Sequence, residues 1–119
     1  MAHNPAGARS LAIHLATLPT TGTRRTVLGI LGDKDAGAMI EALIPETDVW
    51  YLTDLPGPRG GSAEALATQL RALHPDAALR LHGHAEQALA QALADGLPGD
   101  RVVVTGSFLT VALAAPAPL

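Results

Sequence analysis

The 119-residue sequence predicts an α/β fold in which a mostly parallel sheet carries helices on both faces. Short runs rich in β-branched residues alternate with segments whose apolar residues recur at helical spacing. Gly and Pro separate these segments, and the run RVVVT at 101–105 has the β-branched continuity of a strand buried on both faces. Such alternation is typical of parallel strands joined by right-handed helical crossovers.

The first half of the chain predicts two helix–strand pairs. The opening AHNPAGAR makes Asn4 an N-cap and places Pro5 at the first position of a helix over 5–18. Strands are predicted at 25–31 and 48–52, and the helix between them at 37–44, before Pro45. A helix that begins so abruptly normally follows a strand, so we expect the first strand to be missing and the chain to be a piece of something larger.

The second half continues the alternation. Ser62 is predicted to cap a helix that runs to about residue 73. A strand at 78–81, a helix at 85–95, a strand at 101–105 and a last helix at 108–115 follow. We expect 1–115 to form one domain around a single core, and 116–119 to be a frayed tail.

Composition narrows the class of partner. The formal net charge of −3 gives no electrostatic footprint for nucleic acid or an anionic membrane. There is no cysteine, which excludes disulfides and thiolate metal sites. No signal peptide is recognisable, and no apolar run approaches the roughly 20 residues that span a bilayer. We therefore expect a cytoplasmic domain that binds neither nucleic acid nor membrane.

Binding residues in such a sheet follow the carboxyl ends of the strands. The octet at the start of the chain is expected at the same edge, after the missing strand. Polar side chains are thus predicted to converge on one rim, and they are His3, Asn4, Asp33, Lys34, Asp35, Arg59 and Ser107.

Two of these segments allow two interpretations each. Asp33-Lys34-Asp35 is either a solvated turn with Asp35 as a helix cap, or a cation held between carboxylates and aimed at an anionic substrate group. Gly106-Ser107 is either a tight turn with Ser107 as an N-cap, or a hydroxyl at a helix N-terminus presented to a carboxylate or phosphate.

Other candidate motifs predict less. The Gly/Pro loop at 56–61 is not a phosphate-binding loop, because no GK[ST] ends it. His82 and His84 have no acidic or sulfur partner at ligand spacing, so we interpret them as exposed loop histidines and predict no metal site. Trp50 and Tyr51, in a predicted strand, are expected to pack in the core.

Four motifs in order carry a resemblance: AHNPAGARSLA, VLGILGDKD, VWYLTDLPGPRGGSAEAL and PGDRVVVTGSFLTVA. Together they resemble the C-terminal domain of bifunctional folylpolyglutamate synthase/dihydrofolate synthases, relatives of the Mur ligases. The resemblance covers essentially the whole chain and implies a Rossmann-like fold of the Mur ligase C-terminal type. It implies an ATP-dependent amide ligase, in which L-glutamate displaces phosphate from the acyl phosphate of a folate or pteroate.

The resemblance also implies roles for individual residues. His3 and Asn4 match residues that contact ATP, and Ser107 matches a serine that helps to hold the glutamate carboxylate. Lys34, flanked by Asp33 and Asp35 in support, matches a lysine near the incoming glutamate, and we take it as the catalytic residue. ATP and Mg²⁺ are expected to be bound mainly by an N-terminal P-loop ATPase domain, which this sequence lacks.

The sequence departs from the family pattern at its start. The aspartate expected two residues before Ala2-His3 is absent, and no GxxxxGK[ST] occurs anywhere. We therefore expect the chain alone to be inactive. Two alternatives stay open: a receiver-like signalling domain with an acidic pair (Asp33, Asp35) and Asp54 as phosphoacceptor, and a non-catalytic interaction module.

Overall fold

A computed structural model describes residues 5–18, 20–32, 35–57, 60–107 and 111–114. The helices are α1 (Pro5–Ala16), α2 (Ala36–Leu43, continued by a 3₁₀ turn at Ile44–Glu46), α3 (Ala63–Leu73) and α4 (Ala85–Asp95). The strands are β1 (Arg24–Gly29), β2 (Val49–Thr53), β3 (Ala78–His82), β4 (Arg101–Gly106) and β5 (Val111–Ala114). Up to β4 these elements lie within two residues of the predicted bounds. Within the residues described, no helix has the length and apolar character needed to cross a membrane.

The predicted last helix is wrong over the part of it that the structure describes. Val111–Ala114 forms β5, which pairs antiparallel with β4 so that Arg101 lies opposite Ala114 and Val104 opposite Val111. The buried β4 strand needs hydrogen-bond partners on both of its edges, and β5 supplies the second set. This pairing outweighs the helix propensity of the two alanines.

The sheet order β3-β2-β1-β4-β5 contains one reversal of direction. The β1-α2-β2 and β2-α3-β3 units step outward from β1, and every pair in them is parallel. The chain then returns through α4 to β4, which pairs parallel with β1 on the opposite side from β2. The space between the carboxyl ends of β1 and β4 is therefore the topological switch point, where open α/β sheets bind ligands.

Helices cover both faces of the sheet, which confirms the predicted fold class. On one face α1, α2 and α3 pack on a core that includes Leu28, Trp50, Leu52 and Val103. On the other face Ala88 and Ala92 of α4 pack on four strand residues, which are Val27, Tyr51, Val102 and Val104. Successive valines of β4 thus enter opposite cores, and all six residues of the strand are buried.

Hydrogen bonds and an ion pair made by charged side chains hold the amino ends of β1 and β4, away from the switch point. The Arg101 guanidinium donates to the carbonyl oxygens of Leu15 (3.2 Å) and Glu46 (2.7 Å), tying α1 and the 3₁₀ turn to β4. Asp100 accepts backbone N–H groups from Thr23 (2.7 Å) and Leu97 (3.0 Å), and its other contact is Arg25 Nε at 3.1 Å. Burial acts to raise the pKa of Asp100, but these backbone donors and the Arg25 charge together lower it below 3.8.

The lowered pKa of Asp100 predicts acid sensitivity. The folded chain binds this proton less readily than the unfolded chain, so its stabilisation is present above the unfolded pKa and lost as pH falls through the folded one. Asp100→Asn should lower the free energy of unfolding at pH 7 by about 2–4 kcal/mol and flatten its fall between about pH 5 and pH 2. Urea unfolding at several pH values measures both effects. The exposed carboxylate Asp76 provides the control, since Asp76→Asn should leave the free energy of unfolding at pH 7 unchanged.

The end of β4 predicts a strict requirement for glycine. Gly106 has φ +133°, and a Cβ there would overlap the carbonyl oxygen of Gly29. Gly106→Ala should therefore cost more than about 2 kcal/mol of unfolding free energy. Gly83→Ala should stay within about 0.5 kcal/mol, because a Cβ there meets nothing within 4 Å. Equal unfolding midpoints for the two variants would contradict the close contact between β1 and β4.

Candidate functional site at the carboxyl rim

The loop residues that follow β1 (30–32 and 35), β2 (54–57 and 60–62) and β4 (107) form what we call the carboxyl rim. At the switch point Gly29 and Gly106 pair across β1 and β4. The Ser107 N–H donates to Gly29 O at 2.9 Å. In return, Ser107 Oγ accepts the Leu31 N–H at 2.8 Å. Ser107, the residue directly after β4, is therefore hydrogen-bonded both to β1 and to the loop that follows β1.

The loop after β2 lies against the same place. A Cβ on Gly61 would overlap Ile30 O, so only glycine lets the two backbones approach this closely. Leu55 N–H donates to Gly61 O at 3.0 Å and closes the loop. Asp54 Oδ1 accepts the Ala63 N–H at 2.7 Å, while the predicted cap Ser62 accepts from Ala65 N at 2.9 Å. Two side chains thus accept N–H groups from the first turn of α3. A cavity of about 70 Å³ lies between α2 and α3.

Two of the predicted site residues, Asp35 and Ser107, lie within the described residues, and each has a hydrogen bond that bears on its interpretation. Asp35 Oδ1 accepts the Ala38 N–H at 3.1 Å, which confirms Asp35 as the cap of α2. The Ser107 hydroxyl oxygen accepts the Leu31 N–H, and residues 108–110, on which its interpretation as an N-cap depends, lie outside the described residues. The other predicted site residues, His3, Asn4, Asp33, Lys34 and Arg59, lie outside the described residues.

Sequence reasoning missed the contacts that join the rim. Ser107 meets Leu31 across 76 positions of sequence, and no local pattern signals such a pair. Asp54, nine residues before Ala63, likewise lacks the spacing of a familiar capping motif. The doubled glycine before Ser62 was the one available signal of a close backbone approach.

The histidines of the β3–α4 region differ in exposure. His84 is exposed as predicted, but His82 is half-buried as the last residue of β3, so its prediction as an exposed loop residue is wrong. Its ring stacks on Tyr51 with centroids 6.2 Å apart. Tyr51 Oη donates to Asp95 at 2.8 Å, and burial together with that bond raises the tyrosine pKa. Among the residues described, no three His, Asp or Glu side chains group as metal ligands would.

Comparison with known proteins decides the family. The model of the Mur ligase, glutamate ligase domain family matches residues 1–108. The chain belongs to this family. It is 37% identical over 116 residues to the dihydrofolate synthase/folylpolyglutamate synthase of Escherichia coli (strain K12), a match that covers 94% of the chain and 25% of that enzyme. The Mur ligase-type domain therefore spans about a quarter of the length of the curated relatives it matches, and it corresponds to their C-terminal domain.

Solved structures agree with this assignment. E. coli FolC in complex with ADP superposes with a TM-score of 0.82 at 36% identity, over 91% of this chain and 25% of that one. A bifunctional folylpolyglutamate synthase/dihydrofolate synthase with Mn, AMPPNP and L-glutamate bound gives a TM-score of 0.71 at 36% identity, over 88% of this chain and 24% of that one. Neither the receiver-like nor the interaction-module alternative is supported, and the Asp54 carboxylate is engaged in capping α3.

The Asp35 cap yields a direct test. Asp35→Ala should lower the free energy of unfolding by about 1 kcal/mol, because Ala38 N–H loses its acceptor. Asp35→Ser should recover most of this loss, since its hydroxyl can accept the same N–H. Urea unfolding of the three proteins measures the difference. Equal stability of the alanine variant and the wild type would contradict the role of Asp35 as the cap of α2.

Proposed function

We propose that this domain binds L-glutamate and closes over ATP in an ATP-dependent ligase that adds glutamate to folate or dihydropteroate. The observation that supports this most is the hydrogen bond between Ser107 and Leu31, which brings the segment after β4 to the segment leading to Lys34. In an open α/β sheet this switch point is where a small ligand is expected. The relatives that match the chain carry dihydrofolate synthase/folylpolyglutamate synthase names.

The proposed chemistry is positioning. The Lys34 ammonium attracts the anionic amino acid, and Ser107 donates its hydroxyl hydrogen to a substrate carboxylate. Asp33 and Asp35 support Lys34 from either side in the chain. Holding the amine of glutamate beside the activated carboxyl group converts an encounter of two molecules into a step within one complex, which is a large share of catalysis in such reactions.

ATP and Mg²⁺ would be held for the most part elsewhere. The sequence contains no GxxxxGK[ST], and the described residues offer no group of three carboxylate or imidazole ligands. His3 and Asn4 remain the proposed contacts of this chain with the nucleotide. The partner implied is an N-terminal P-loop ATPase domain, and the chain alone would be inactive.

Glutamate titration of the chain tests the proposal. L-Glutamate should shift the NMR signals of Leu31, Gly32 and Ser107 with weak, millimolar affinity, and D-glutamate should not match it. Lys34→Ala should weaken binding about tenfold or more, since it removes the only lysine in the chain. The exposed cation Arg71 on α3 gives the matched control, and Arg71→Ala should leave the affinity unchanged.

Two results would contradict the proposal. One is the absence of any L-glutamate-dependent shift at the carboxyl rim in the wild-type chain. The other concerns the expected inactivity: the purified chain, given ATP, folate and L-glutamate, should release no ADP above background. Turnover without a second domain would contradict the division of labour proposed here.

A further inference from the structure

We propose that Ser107 is a positioning residue that fixes Leu31, at the start of the β1–α2 loop, through a hydrogen bond to its N–H. The inference rests on the proposed function and extends it from binding to loop placement. We call the contact set of Gly29, Leu31, Gly106 and Ser107 the Ser107 clasp. Within it, one residue accepts a hydrogen bond from Leu31 N at 2.8 Å and donates one to Gly29 O at 2.9 Å.

The clasp fixes one end of a short loop whose other end is fixed independently. Leu31 is held by Ser107, and Asp35 is held to α2 through its cap on Ala38. Lys34 lies between these anchors in the chain, three positions after Leu31 and one before Asp35. Leu31 therefore has its own hydrogen-bond partner only four positions before the Asp35 cap.

The clasp resists adjustment because glycine fills its base. At Gly106 the backbone lies against Gly29 O with no space for a side chain, and φ is +133°. The end of β4 therefore cannot move closer to β1, and the pairing of Gly29 with Gly106 prevents it from moving away. The position of Ser107 relative to β1 is set before any ligand arrives.

A hydroxyl suits this place because it can serve both sides at once. Accepting from Leu31 N–H uses an oxygen lone pair and leaves the hydroxyl hydrogen available to donate to a carboxylate. Alanine would remove both interactions, whereas threonine would keep both. Loss of the hydroxyl should therefore act on the loop even in the absence of ligand.

Amide hydrogen exchange in the 119-residue chain measures the clasp without ligand. Ser107→Ala should speed exchange at Leu31 about tenfold, while Val27 in the core of β1 stays protected. Ser107→Thr should leave the Leu31 rate within about threefold of wild type. Ser62→Ala is the matched control, because it deletes the same atom at the same rim but releases Ala65 in α3 rather than Leu31.

A second variant separates positioning from direct contact with substrate. Replacing the Leu31 amide by an ester, with the α-hydroxy analogue of leucine, deletes the N–H and leaves the Ser107 hydroxyl in place. This ester should weaken L-glutamate binding at least threefold, and Ser107→Ala about tenfold or more. Thr68→Ala, which also deletes a hydroxyl but lies on the exposed side of α3 outside the rim, should leave the affinity unchanged.

The outcomes are distinguishable. Unchanged Leu31 exchange in Ser107→Ala overturns the clasp and leaves the proposed function intact. Full L-glutamate affinity in the ester variant, with weak binding in Ser107→Ala, overturns positioning and assigns Ser107 to direct contact alone. A wild-type chain that shows no L-glutamate binding overturns the proposed function, and positioning with it.

Discussion

The paired carboxyl ends of β1 and β4 are the constraint on which the candidate site depends. Both strands end in glycine there, and their backbones lie closer than any side chain allows. The two strands meet only because α4 crosses the sheet on the face opposite α1, α2 and α3. It thereby places β4 beside β1, on the side away from β2. The topology thus creates the switch point, and Gly106 determines how closely the backbone of β4 approaches Gly29 O there.

Polar side chains have different partners at the two ends of the sheet. At the amino ends buried charges are matched by backbone groups, as with Asp100 on Thr23 and Leu97 and with Arg101 on Leu15 and Glu46. Such groups are costly to leave unpaired, so they specify one arrangement of α1, the 3₁₀ turn and β4. At the carboxyl rim, by contrast, the described side chains mostly cap helices or bind backbone N–H groups. The described rim residues thus carry two carboxylates, Asp35 and Asp54, and no cation.

Local sequence information predicted every element through β4 because each carries its own signal. The VVVT run, the Ser62 cap and the helical spacing of α4 need no knowledge of distant residues. Residues 111–114 have no such signal, because their alanines favour a helix. The segment becomes a strand by pairing with the edge of β4, which is a contact with distant residues. The same holds for the site: the strand ends predicted which loops converge, but not that the Ser107 hydroxyl would accept the Leu31 N–H.

The lack of a cation among the described rim residues affects how strongly the proposed ligand would be held. In the proposed function the attraction for glutamate would come from Lys34, and a single ion pair in water is worth little because solvent screens it. The same pair strengthens when a second domain covers the rim and excludes water. Under the proposed function, weak binding by the chain alone and tighter binding in a closed assembly would have the same physical cause. Under the proposed function, the Ser107 clasp would act by fixing Leu31 before the second domain closes, at the start of the chain segment that carries Lys34.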